Sequence, residues 1–436
     1  MLKVIELNEN EYEKIVNKKF KDARIIFTQL PAYVNLKKDE NTKARKLAII
    51  DNKTNEVIAV TIAVYYSLYK FLYKVQFMYG PIVNEENLYR LGEIATCIRK
   101  EVFKNLRVKN LRIDPIIHNN IYEDINIVEK NVNEEVKENL EKFGFKRLNQ
   151  EYYENVEIPL RFFYSKDIEG MSFKDVEKSL VSTLRNRMKK AEKESLKIRF
   201  LKRDELNIFK CMLESTYNRV ETTEVANLKK LELMYDEFKD KIYFPVIYID
   251  ILKTEEAYIK EKNAKLKEKE KINKKINEKI NEKTKDENFS EKTIKKEKNK
   301  IKQIDIALKS LEKNIEDIKK LKEEELEKGN KDLKIDIYGG VFIESHNDFI
   351  YYLGGGYSRY FGYNAAPKMH KEMMKLAIEK NKKIYNLFGI SGIFDETAPD
   401  AGVIKFKQTF NGYVEELIGT YEYDRYKFLN KLKRGK

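Results

Sequence analysis

The sequence predicts an α/β (α+β) protein: two similar units in tandem, the second carrying an inserted antiparallel helical hairpin. Three observations carry this. The order hairpin, glycine-containing strand end, long helix, strand occurs at 46–114 and again at 335–388, a repeat of topology without a repeat of residues. From Thr254 to Leu333 the composition shifts to a lysine-rich stretch with no arginine, no proline and a single glycine, Gly329. Elsewhere, apolar runs of strand length alternate with stretches whose apolar residues recur at helical spacing. The units are expected at 1–155, completed by the C-terminal 396–436, and at 156–395, with 254–333 as the inserted arm.

Taken in order, Asn8 caps a first helix through Tyr12, Ile15 and Val16, and FTQLPAYVNLKK (27–38) forms a second. Lys46–Ile50 and Glu56–Tyr66 flank the turn DNKTN as a hairpin. A strand Val75–Tyr79 ends at Gly80-Pro81. A helix Glu85–Leu106 follows, then a strand through LRIDP (111–115) and a helix Glu134–Phe143 stopped by Gly144. The second unit opens near Val156. Its basic helix Lys174–Lys193 precedes a strand at Ile198–Leu201 and helices Asp204–Tyr217 and Glu224–Phe238, with Thr216 and Arg219 in the loop between them. Tyr243–Leu252 reads as a strand. Ile335–Ser345 and Asp348–Leu353 pair across His346-Asn347, and Gly354–Gly356 marks a strand end where the backbone approaches a ligand or simply turns. Helix Pro367–Lys380 and strand Ile384–Phe388 complete the unit.

In the arm, Ile301, Ile304, Leu308, Leu311, Ile315 and Ile318 follow alternating spacings of three and four, the signature of a coiled-coil seam. Ile259, Leu266, Ile276 and Ile280 suit the first half, with Asn273 at a seam position. The chain turns around Thr284–Ser290, so two arms of about 30 residues make a rod of roughly 45 Å. Its lysines are either a solvated face or a grip for an RNA backbone.

A formal charge of +14, from 86 Lys+Arg against 72 Asp+Glu, favours a polyanionic partner. Two cysteines, Cys97 and Cys211, in apolar helical contexts suggest a reduced, cytosolic protein. The N-terminus has no signal pattern, and the longest apolar stretch, Val57–Tyr66, is too short to span a bilayer, so a soluble protein is expected. Three histidines, His118, His346 and His370, lack metal-ligand spacing, and no Walker loop, nucleophile elbow or dinucleotide fingerprint is present. Arg359-Tyr-Phe-Gly362-Tyr-Asn364 half-matches the acyl-CoA pyrophosphate loop of GNAT acetyltransferases, with Asn364 crowding the phosphate position. In the stretch 383–412, a buried strand ends at Gly389, and the following segment sets Lys405 and Lys407 beside Val403, Ile404, Phe406 and Phe410. A lysine there meets an anion or a developing oxyanion, or else stays solvated at the surface.

FTQLPAYVNLKK, LRIDP, LRNRMKKA (184–191), YYLGGGYS (351–358), NLFGISG (386–392) and GVIKFKQTFNGYVEELIG (402–419) together resemble the FemABX family of peptidoglycan aminoacyltransferases, in the family's order and over nearly the whole chain. The inserted hairpin is similar to that of the FemA-like branch and to the arm of seryl-tRNA synthetase. The resemblance implies two GNAT-like domains and transfer of an amino acid from aminoacyl-tRNA to the stem-peptide amine of a peptidoglycan precursor, lipid II or UDP-linked muramyl pentapeptide, without metal or organic cofactor. An aminoacyl ester is already activated, so the enzyme positions the amine and stabilises the oxyanion.

Lys407, following Phe406 in the family's Phe-Lys motif, takes that catalytic role by resemblance. Lys37 and Arg219 match positions that hold the precursor's diphosphate or carboxylates. Tyr351, Tyr352, Tyr357 and Phe406 are implied substrate contacts, and the lysines of 254–333 implied tRNA contacts. Asp114 is a candidate acceptor of the amine proton, or a structural residue before Pro115. The family often carries Trp where Tyr33 stands and Gly where Asn411 stands. The resemblance also implies a cytoplasmic enzyme, with contact at the inner face of the cell membrane permitted by the basic surface and a related Fem-type protein as a partner. Two rivals remain at this stage: a GNAT-fold acyltransferase using acyl-CoA, and a non-catalytic RNA-binding scaffold.

Overall fold

The computed structural model describes residues 1–38, 42–68, 71–148, 158–220, 225–281, 287–360 and 362–426. The expected boundary at 155/156 and the end of 396–436 lie outside these residues. The early elements are β1 (Leu2–Leu7), α1 (Glu9–Lys19), α2 (Pro31–Lys38), β2 (Lys43–Asp51), β3 (Glu56–Leu68), β4 (Leu72–Phe77), β5 (Ile82–Val83), α3 (Leu91–Val102), β6 (Val108–Ile113), β7 (His118–Glu123), β8 (Asn126–Glu129), α4 (Glu134–Lys142) and β9 (Lys146–Arg147). Asn8 caps α1 in a capping box with Glu11. The expected helix from Glu85 begins as a 3₁₀ turn, Glu85–Arg90, and its α-helical part ends at Val102.

Then come β10 (Phe162–Asp167), α5 (Phe173–Ser179), α6 (Ser182–Lys193), β11 (Lys197–Phe200), α7 (Leu206–Arg219), α8 (Leu228–Phe238), β12 (Ile242–Tyr243), β13 (Pro245–Asp250), α9 (Ile251–Asn281), α10 (Glu287–Glu327), β14 (Lys334–Glu344), β15 (Asp348–Gly356), α11 (Ala365–Glu379), β16 (Ile384–Ile390), α12 (Ala401–Gln408), β17 (Tyr413–Leu417) and β18 (Tyr421–Asp424). The single basic helix expected at 174–193 is two. Leu180 and Val181 are extended, and the Val181 N–H donates to Thr409 O at the end of α12. Thr216 and Arg219 belong to α7 rather than to a loop.

Among the described residues the strands form two mixed sheets, an eight-stranded one in order β1-β2-β3-β4-β6-β18-β9 with β5 also on β3, and a ten-stranded one in order β11-β13-β14-β15-β16-β10-β17-β7-β8 with β12 also on β14. Each contains an antiparallel hairpin, a crossover helix and a strand parallel to the hairpin's second member, β3-β4-α3-β6 and β14-β15-α11-β16; the hairpin expected at 46–66 is β2-β3, one strand before the pair that leads into the crossover. The predicted fold class holds. The chain also changes sheets. β7 and β8 join the second sheet, and after β17 the chain returns to the first as β18. Ile418 N–H bonds Ile117 O where the two crossings meet.

The sheets face each other across one core. Alternate residues of β3 explain this: Val60, Ile62 and Val64 enter that shared core with Val341, Ile343 and Ile350 of the second sheet, while Ala59, Ala63 and Tyr65 pack under α3. The far face of the second sheet packs under α5, α6, α11, α12 and the root of the arm. In the arm, Ile304, Leu308, Leu311 and Ile318 are buried as their spacing predicts. The first half is in a different register. Ile272 and Ile276 are buried, whereas Asn273 is exposed and Ile259 and Leu266 are largely so; the side chain of Ile280 lies outside those described. Lysines fill the gap in the apolar series. Lys262 Nζ lies 2.9 Å from Glu312, Lys269 Nζ 2.6 Å from Asp305 and Lys322 Nζ 3.0 Å from Glu255, so these lysines tie the helices together. The expected turn overlaps residues 282–286, which are not described, and α10 has already begun at Glu287.

Candidate active site

β15 and β16 are paired in parallel over three residues only, Asp348–Ile350 with Ile384–Asn386. Beyond that no ladder joins them, and β16 instead runs on through Gly389 and Ile390 beside β10. Phe388, in the unpaired part, has φ +63°, a left-handed conformation rare for a large side chain. Its ring turns into the core between the sheets, stacked on Phe163 at 5.4 Å and close to Tyr352 (5.7 Å) and Phe27 (6.0 Å). Phe27 in turn meets Tyr352 at 5.3 Å and Tyr33 at 6.1 Å, and the Lys37 ammonium lies 5.7 Å from the Tyr33 ring and 5.9 Å from Tyr66. A continuous aromatic strip therefore leads from Lys37 to the backbone of Phe388.

Lys407 waits at the end of that strip. It reaches up from α12, is only 5% exposed, and donates from Nζ to Gly389 O at 2.6 Å and Phe388 O at 3.2 Å. An ammonium has three N–H donors, so one direction remains beyond these two bonds. Burial pushes this lysine down to about 7, with Asp400 pulling the other way. Beneath it His370 is fully buried, bonded through Nδ1 to Tyr385 OH at 2.7 Å. Burial, with the Lys407 charge added, holds His370 neutral at about 3.

The remaining candidates are spread over both faces of the sheet. Tyr351 and Tyr352 are adjacent in a strand and so point to opposite sides. Tyr352 lines the core between the sheets. Tyr351 lies under α11, bonded to Tyr338 OH at 2.9 Å and packed on His370 at 4.6 Å. Phe406 is on that same far side, 5.5 Å from His370 and 5.4 Å from Phe410. Tyr357 pairs with Tyr360 at 6.5 Å, and Arg219 is exposed at the end of α7. Asp114 stands apart. It is buried, accepts from Thr420 Oγ1 and from Gln76 Nε2 at 3.2 Å, and sits where the chain crosses between sheets. Burial raises it to about 6 against those two bonds. Both oxygens being engaged at a crossover, Asp114 takes the structural alternative.

Gly354–Gly356 are the last residues of β15, paired with Gly340, Gly339 and Tyr338 of β14, and the close approach they allow is to the chain itself. A Cβ on Gly355 would lie 3.1 Å from Met212 O and from Thr216 Oγ1 of α7. Asn411 is explained by its backbone: φ is +53°, which glycine or asparagine tolerates, and Asn411 Nδ2 donates to Ser179 O at 3.0 Å. Phe27 and Phe388 were not singled out from the sequence. The signal available for Phe388 was its place next to Gly389 at a strand that ceases to pair.

At the half-matching pyrophosphate loop, the N-terminus of α11 is occupied by the chain itself. Glu194 accepts from Asn364 N at 3.0 Å and from Asn364 Nδ2 at 2.9 Å, while Arg187 Nε donates to Asn364 Oδ1 at 3.1 Å. Burial raises Glu194 against these bonds. A carboxylate thus sits where an acyl-CoA diphosphate would need the same donors.

With this geometry the class of the protein is defined. The chain belongs to the FemAB family, whose sequence profile matches residues 7–434. It is 29% identical over 431 residues to aminoacyltransferase FemA of Staphylococcus epidermidis, covering 94% of this chain and 95% of that protein. Against aminoacyltransferase FemA of Staphylococcus aureus the identity is 28% over 408 residues, covering 91% and 89%. Its fold is similar to the crystal structure of FemX, with a TM-score of 0.73 at 20% identity over 99% of both chains. Among the described residues no helix is long and apolar enough to cross a membrane.

Proposed function

We propose that this protein transfers an aminoacyl group from aminoacyl-tRNA to the side-chain amine of a peptidoglycan stem peptide, building the interpeptide bridge of a bacterial cell wall. The observation that carries the mechanism is the aromatic strip ending at a buried ammonium. The precursor lies at the outer end of the Phe27, Tyr33 and Tyr352 strip, with Lys37 and Arg219 on its diphosphate or carboxylates. The aminoacyl ester meets the amine where β15 and β16 cease to pair, with Tyr357 on the inter-sheet side beside the substrates and Tyr351 and Phe406 packed behind Lys407. The amine nitrogen attacks the ester carbonyl, forming the C–N bond. The Lys407 ammonium donates to the resulting oxyanion. The C–O bond to the terminal ribose then breaks, and the amine proton leaves with the ribose oxygen. In a dry site a single preorganised cation is worth far more than in water. No protein nucleophile is needed.

Glu194 on the α11 N-terminus argues against acyl-CoA as donor. The arm's solvent-facing lysines, as distinct from Lys262, Lys269 and Lys322, contact the tRNA backbone. The enzyme works in the cytoplasm, on lipid II or its UDP-linked precursor, at or near the membrane's inner face and alongside a related Fem-type protein. The test supplies both precursors and a charged total tRNA pool, with and without ribonuclease, and reads precursor mass. A gain of one amino acid that ribonuclease abolishes is the expected result. Acylation only when acyl-CoA is added would overturn the reading. A Lys407→Ala protein that keeps full function, lost only on deleting 254–333, would make it a scaffold.

A further inference from the structure

In an extended strand successive carbonyls point to opposite sides, so one ammonium cannot bond two in a row. Lys407 does so at Phe388 and Gly389 because the strand is turned over at Phe388. A left-handed phenylalanine is strained and persists only where its surroundings hold it. The hold comes from Asn386, two residues earlier. Its Oδ1 accepts from Phe388 N at 2.7 Å, the side-chain-to-backbone bond that favours such turns. Its Nδ2 donates to Asp348 Oδ2 at 2.9 Å, and both side chains are fully buried. Asp348 receives Arg24 Nε at 2.9 Å, from the segment following α1, and Arg24 Nη2 also reaches Glu415 Oε2 at 2.8 Å. An unbroken polar chain thus runs from Arg24 through Asp348 and Asn386 to the carbonyls on Lys407.

We propose that Asn386 is a positioning residue for the transfer reaction. By fixing the turn at Phe388 it converges two carbonyls on the Lys407 ammonium and sets the direction of its remaining N–H, and Asp348 ties that setting to Arg24. The proposal rests on the reading of Lys407 as the oxyanion-stabilising group. The other titratable groups facing Lys407 are Asp400, before α12, and His370, on α11; neither is altered by the variants below.

The test compares wild type, Asn386→Ala, the exchange Asp348→Asn with Asn386→Asp, and Lys407→Met, by steady-state kinetics with charged tRNA and precursor across pH, each variant checked by thermal melt. Asn386→Ala should lose about tenfold in kcat with either KM within about threefold. Its high-pH limb should move to lower pH, because an ammonium that loses an aligned carbonyl gives up its proton more readily. The exchange keeps an acceptor for Phe388 N and should recover most of both effects. Should the alanine variant not fold, Asn386→Leu, of similar shape but with no acceptor for the Phe388 amide, gives the same readouts. A merely structural asparagine would lower the active fraction and leave the limb in place, which overturns the proposal, as does an exchange no better than alanine. If Lys407→Met keeps wild-type kcat, the reading of Lys407 falls and this proposal with it. An inactive Lys407→Met beside a normal Asn386→Ala sinks the proposal alone.

Discussion

Replacing Lys407 with methionine should make the protein inactive and, at neutral pH and below, more stable. The ammonium is buried, and burial holds it at about 7, whereas in an unfolded chain a lysine titrates at about 10.4. Between those values the unfolded state binds more protons, so the native protein gains stability as pH rises through this window. Below pH 7 the full penalty of roughly 5 kcal/mol applies, and it is relieved progressively above. Methionine carries no such penalty. The stability gap between variant and wild type should therefore be greatest at pH 6 and shrink by about 2–3 kcal/mol by pH 9. The absolute gap is smaller than the full penalty, because the carbonyls of Phe388 and Gly389 lose their donor at about 1 kcal/mol each. Urea unfolding of both proteins at pH 6, 7, 8 and 9 measures the difference, and titrations elsewhere in the chain cancel in it. The same samples, assayed for transfer, should show kcat reduced by about 10²–10³. A gap that does not change with pH, or a methionine variant less stable at pH 6, would refute the buried-ammonium argument.

Phe27→Ala removes the ring shared by Tyr33, Tyr352 and Phe388, and should cost about 3–5 kcal/mol in unfolding free energy while raising the KM for precursor more than it lowers kcat. In the arm, replacing the exposed Lys267, Lys271 and Lys274 by alanine should weaken charged-tRNA binding and reduce its salt dependence. Replacing Lys262 and Lys269 should leave that salt slope nearly unchanged, because their charges are already spent on Glu312 and Asp305. Asn411→Gly should be tolerated within a few tenths of a kcal/mol, whereas Asn411→Ala, forced to the same positive φ, should lower stability by about 1 kcal/mol in denaturant melts.

What the sequence displayed well were elements whose burial is local. The hairpins at 43–68 and 334–356 and the second helix of the arm each carry their apolar period in a single continuous stretch. The strands that join the two halves are different. β17 reads YVEEL, and two adjacent glutamates argue against a buried strand, yet Glu415 and Glu416 are both buried. Arg24 and His118 hold Glu415 ionised, with Ser165 bonded to it as well, and Arg161, Tyr122, Asn119 and Asn120 surround Glu416. Despite burial, Arg24 and His118 keep the Glu415 carboxyl well below the usual carboxylate range. These partners come from hundreds of residues away, so no local period encodes them.

The site is illegible for the same reason. A lysine in AGVIKFKQ belongs by default at the surface, and nothing in that segment sets Lys407 apart from the exposed Lys405 two residues before it. Helix periodicity distinguishes them only once the sheet above α12 is known. The acceptors that make burial of Lys407 tolerable exist only because Asn386 turns the strand at Phe388, under an anchor that reaches back to Arg24. The buried ammonium is therefore a product of the closure of one half of the molecule on the other. Loosening that closure at Arg24 should disturb Lys407 even though the two side chains share no bond.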